Sequence, residues 1–137
     1  MPCPYFRPER RMAESNGVPA ASMPLGGMFE GDCRLPGEAP WRPGEALLRA
    51  GCNVGYAGGA CTRFPVQADA DAVRFLIEDE SAGGVRVAYA FEKSYAPAGH
   101  GSITVALGHP AAPDFALTVL QAQAEAYAHC YRESKHE

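Results

Sequence analysis

The sequence predicts an α+β fold: a loop-rich, cysteine-bearing N-terminal segment over residues 1–71, then a three-stranded antiparallel meander with one C-terminal helix over 72–137. Three observations lead there. Most of the twelve prolines lie before residue 72, and that density blocks long helices and interior strands. From Ala72 to Leu107 apolar and polar residues alternate, as they do in half-buried strands. After Pro110 the apolar spacing changes to that of a helix. A chain of 137 residues is the size of one compact domain.

In the N-terminal segment the sequence predicts one short helix. Pro43 suits a first turn, Gly44 to Ala50 continue it, Gly51 stops it, and Cys52 falls just past the stop. The rest of this segment reads as loop. A first strand follows over Ala72–Glu78, then a turn at Ser81–Gly84. In the second strand Val85, Val87, Tyr89 and Phe91 share one face. Ala96–Gly101 reads as a loop, with Ile103, Val105 and Leu107 forming the third strand. Short connections make the sheet antiparallel. Asp114 suits the start of a helix running to about Glu133, with Ala116, Leu120, Gln123 or Ala124, Tyr127 and Tyr131 on one stripe. Such a core is small and calls for cover from the N-terminal half or a partner.

The net charge of −4 offers no concentrated basic surface, which argues against non-specific nucleic-acid binding. Arg7, Arg10 and Arg11 are offset by Glu9 and Glu14 and read as a solvated face. No apolar run approaches the length of a membrane span, and the start of the chain lacks the apolar region of a secretory signal. The expectation is a cytoplasmic protein in a compartment that keeps thiols reduced. Five cysteines there read as metal ligands, small buried apolar residues or reactive thiols before disulfides.

Cys3, Cys33, Cys52 and Cys61 lie in the segment that lacks an apolar core of its own, with 29, 18 and 8 residues between them. None is paired in a C-x-x-C, the arrangement zinc knuckles favour. Wide, unequal spacing suits thiolates that arrive from separate loops at an iron–sulfur cubane. Cys3 is followed by Pro4, and the Cys52–Cys61 segment is rich in glycines that let backbone N–H groups approach sulfur. These four are the candidate ligands of a [4Fe–4S] cluster, with a structural zinc as the alternative. Tyr5, Phe6, Trp41, Tyr56 and Phe64 are candidate shields around it. Cys130, between His129 and Tyr131 on the C-terminal helix, reads as structural.

Over Cys3 to Cys61 the arrangement resembles the four-cysteine [4Fe–4S] domains of several nucleic-acid enzymes and redox proteins, whose ligands are spread over a long segment. The resemblance implies a cluster bound by these four thiolates. The ferredoxin spacing C-x₂-C-x₂-C is absent.

The histidines carry weaker signals. His100 lies in a Gly-His-Gly sequence, where a turn residue is the plain reading and a catalytic role the sharper one. His109 precedes Pro110, and no carboxylate or serine is spaced to form a triad. Glu78, Asp79 and Glu80 read as a solvated strand end. Gly55–Gly59 has no strand before it and no Lys-Ser/Thr, so a phosphate loop is unsupported. The expected function is electron transfer or redox sensing by a small iron–sulfur protein without turnover of its own, working with a protein redox partner or as an accessory subunit of a larger enzyme. Neither nucleic acid nor membrane is an expected partner. Self-association through the exposed sheet face is a further expectation. A zinc-stabilised interaction module and a small enzyme using His100 are the alternatives.

Overall fold

In the computed structural model, which describes residues 2–12, 24–56, 61–65, 67–81, 83–106 and 118–135, the strands and helices alternate unevenly along the chain. Strands β1 (Phe6–Arg11) and β2 (Phe29–Cys33) come first. Helix α1 (Glu45–Leu47) then runs directly into a π-helical turn (Leu48–Cys52). Strands β3 (Ala72–Ser81), β4 (Gly84–Lys93) and β5 (Ala96–Ala106) follow, and helix α2 (Val119–Lys135) closes the fold.

The C-terminal half forms the α+β unit expected. β3, β4 and β5 pair antiparallel in that order. Val73, Phe75, Val85, Val87 and Val105 are buried on one sheet face. Arg74, Leu76 and Arg86 stand exposed on the other. Full burial of each such apolar side chain contributes roughly 1.5–3 kcal/mol. α2 packs its Ala124, Ala128 and Tyr127 side against this core, with the Phe75 and Tyr127 rings 5.7 Å apart.

The β4–β5 connection differs from the expectation. Ala96–Gly101 is strand, not loop, and the turn is the pair Ser94–Tyr95, both in the left-handed region at φ 51° and 65°. Two left-handed residues give the tight hairpin whose twist matches the strands. The turn is held from outside: Ser94 N donates to Asp71 Oδ2 at 2.7 Å and Tyr95 N to the Tyr56 hydroxyl at 3.1 Å. The Tyr56 and Tyr95 rings stack at 4.2 Å. Pro97 is tolerated because β5 is an edge strand.

α2 begins after Thr118, whose Oγ1 accepts the Gln121 N–H at 3.2 Å as an N-cap. The expected cap at Asp114 lies outside the described residues, as do Leu107, His109 and Ala116.

The N-terminal half also departs from an all-loop reading. β1 and β2 form a two-stranded antiparallel sheet with a register shift between Pro8 and Arg10. Pro8 and a run of charges hide β1 from pattern reading, and a proline at an irregular edge position costs the ladder little. Gly31 lies opposite Pro8, where a Cβ would overlap the Arg7 carbonyl. The short helix continues past Gly51 as a π turn, so Cys52 is its last residue and not a position beyond the stop. Asn53 makes this possible. Its backbone N–H reaches Leu48 O at 3.2 Å, and its side-chain Nδ2 donates to the same oxygen at 2.9 Å.

One buried cluster joins the halves: Cys3, Phe6, Leu25, Phe29, Leu48 and Cys52 lie in it beside Val73, Val87 and Ala124. Val73 N also donates to Pro2 O at 3.1 Å. Fully buried Gln123 of α2 donates from Nε2 to the carbonyls of Cys3 and Phe6, both at 2.7 Å. None of the described helices is long and apolar enough to cross a membrane.

Candidate metal centre

Four different pieces of backbone deliver the four N-terminal cysteines. Cys3 stands just before β1, Cys33 ends β2, Cys52 ends the π turn and Cys61 lies in the loop beyond it. All four line one cavity. The remaining walls are Tyr5, Phe6, Leu35, Trp41, Pro43, Leu47, Arg63 and Phe64.

The backbone around each thiol is tied down. Cys3 N donates to Cys52 O at 3.0 Å, which fixes two of the cysteines against each other. Cys33 and Trp41 exchange both backbone hydrogen bonds, at 2.7 and 3.1 Å. Phe64 N donates to Cys61 O at 3.3 Å, closing a turn that brings Phe64 back over the site. The Tyr5 and Phe64 rings meet edge to face at 5.8 Å.

Burial and mutual proximity dominate the electrostatics. Burial pushes the Cys3 thiol up to about 12, with Cys33 and Cys61 adding to the rise. The nearby backbone of Tyr5 and Phe6 acts the other way. Cys52 is likewise pushed up to about 12, by burial first and then by Cys3, Cys33 and Cys61. The Cys33 thiol is raised by burial, against the opposing pull of the Arg63 guanidinium. The fold therefore gathers thiols whose negative forms repel one another in a poorly solvated space. A bound cation relieves that cost, and its binding displaces the thiol protons. Among the described residues, no three or more His, Cys, Asp or Glu side chains are set as the ligands of a single metal ion.

Of the expected shields, Tyr5, Phe6, Trp41 and Phe64 line the cavity and Tyr56 does not. Tyr56 instead donates its hydroxyl to Glu92 Oε1 at 2.7 Å. Of the glycines expected to offer N–H groups to sulfur, Gly55 donates to Gly51 O at 2.8 Å instead, and those at positions 58 and 59 lie outside the described residues. Leu35, Pro43 and Leu47 are apolar walls that sequence reading missed, because no periodicity marks single side chains in a loop. Arg63 was missed as well, although its place two residues after Cys61 is a readable signal.

The other candidates lie elsewhere. Cys130 is buried on α2 and packs against Gly26, where a Cβ would come within 2.6 Å of the Cys130 Cβ. His100 is exposed on β5, paired with Ala90, in a strand and not in the loop expected. Glu78, Asp79 and Glu80 form a solvated strand end, where Glu78 accepts from Ser102 and Glu80 pairs with Arg132 at 3.3 Å. No protein-family model, no curated protein and no solved structure matches the chain.

Proposed function

We propose that Cys3, Cys33, Cys52 and Cys61 hold one [4Fe–4S] cluster and that the protein passes or senses electrons. The observation that carries this reading is the shared cavity: four cysteines far apart in sequence line it together, whereas Cys130 is not in its lining. Ligands that arrive singly from four separate pieces of backbone, without the C-x₂₋₄-C pairing of structural zinc sites, are the reason for favouring a cluster over a lone zinc. The apolar walls around the thiols also suit a cluster, since they tune its potential and limit solvent access.

A cluster with four thiolate ligands leaves no iron open to substrate, so its chemistry is gain and loss of an electron. The chain would supply the thiolates and the apolar lining. Its partner would be a larger redox protein, which it serves as an electron carrier or accessory subunit, in the reducing cytoplasm where free thiols persist.

The test is anaerobic purification followed by metal and sulfide analysis. About four iron and four inorganic sulfides per chain are expected, with a brown chromophore that bleaches on one-electron reduction. Stoichiometric zinc without iron would transfer the site to the zinc-stabilised reading and overturn this one.

A further inference from the structure

Arg63 puts a full positive charge into a lining of thiols and otherwise uncharged walls. Its guanidinium carbon sits 4.6 Å from the centre of the Trp41 ring, within the range of a cation–π contact. Trp41 is locked to Cys33 by two backbone hydrogen bonds, so the ring that seats the guanidinium moves with the thiol beside it. The buried Arg63 Nε has no hydrogen-bond partner among the described residues. A half-buried cation held on an aromatic face in the lining of that cavity is stabilised by negative charge gathered on the thiols beside it.

We infer that Arg63, seated on Trp41 against Cys33, is a positioning residue that offsets the negative charge of the ligated cluster and so raises its reduction potential. The inference rests on the [4Fe–4S] reading. Four thiolates around an oxidised cubane make a dianion. One electron from a protein redox donor makes it a trianion, with no bond made or broken and no proton required. A fixed neighbouring cation favours the more negative state, so reduction becomes easier.

The experiment compares wild type, Arg63→Lys and Arg63→Gln, each prepared anaerobically and titrated with dithionite in the presence of mediators. Arg63→Gln is expected to make reduction about tenfold less favourable, a shift of about 59 mV to lower potential for one electron. Arg63→Lys keeps the charge and should recover most of that shift. Equal potentials in all three proteins, or equal shifts in both variants, would overturn the inference while leaving the cluster reading intact. If Arg63→Gln fails to hold iron and Arg63→Lys holds it, the charge is needed for retention and the inference stands. If both variants fold, as judged by circular dichroism, and neither holds iron, the role is one of shape and the inference falls. Wild type loaded with zinc alone sinks the cluster reading itself, and this inference with it.

Discussion

Asn53 bonds the backbone of Phe29 as a neighbouring strand would: its Oδ1 accepts the Phe29 N–H and its Nδ2 donates to the Phe29 carbonyl, both at 2.9 Å. A third bond from Nδ2 to Leu48 O makes this buried amide the pin between β2, which carries Cys33, and the π turn, which carries Cys52. Asn53→Ala removes the side-chain partners of the Phe29 N–H and carbonyl, while Leu48 O keeps the Asn53 backbone N–H. It should lower stability by roughly 3 kcal/mol or more. Denaturant titration reads the loss, and metal content should fall in parallel. A loss under 1 kcal/mol would contradict the pin.

Gly31 is the second point where the N-terminal sheet has no slack. A methyl group there runs into the Arg7 carbonyl of the paired strand. Gly31→Ala should cost about 2–3 kcal/mol, whereas Gly37→Ala, whose Cβ meets nothing within 4 Å, tests only the left-handed backbone at φ +78°. Thermal unfolding of the two variants separates overlap from backbone strain.

The Ser94–Tyr95 turn carries two left-handed residues without a glycine or asparagine. Ser94→Asn suits that conformation better and leaves the backbone N–H to Asp71 in place. It should stabilise the protein by about 0.5–1 kcal/mol. An unchanged or lower melting temperature would argue against strain at this turn.

The cysteines should divide into two groups. Serine substitution at position 3, 33, 52 or 61 is expected to abolish stoichiometric metal and to expose the N-terminal half to limited proteolysis. Cys130→Ser should keep the full metal content, because that side chain is packed on α2 near Gly26. Metal loss in Cys130→Ser alone would redraw the ligand set.

Glu92 sets an acid limit. The Tyr56 hydroxyl first, and then Arg74, holds its carboxyl below the usual glutamate range. A depressed folded-state value means the stabilisation is full above the unfolded glutamate value of about 4.3 and is lost as pH falls through the folded-state value. Glu92→Gln should therefore shrink the loss of stability measured by denaturant titration between about pH 5 and pH 3. An identical acid profile in the variant would show that other carboxylates govern that range.

Local pattern determined a good part of this protein. The alternation through Val73, Phe75, Val85 and Val87 specifies strands because burial of one sheet face depends on a period of two, which the sequence displays directly. The helical stripe through Leu120, Ala124 and Tyr127 is legible for the same reason. The four separated cysteines stood out as one set, because residue type and a proline-rich context suffice to nominate ligands. What only the tertiary structure decided rests on contacts between distant residues. β1 is a strand because β2 pairs with it, although Pro8 and its charges argue otherwise. The turn reaches Cys52 as a π turn because Asn53, pinned to Phe29, supplies bonds that Gly51 could not announce. Gln123 sits on an apolar stripe yet is buried, with its Nε2 donating to the carbonyls of Cys3 and Phe6 from the other end of the chain. Arg63 meets Cys33 only once Trp41 is paired beside it. Periodicity records how each residue relates to its own element; which charge faces which thiol depends on how separate elements close on one another.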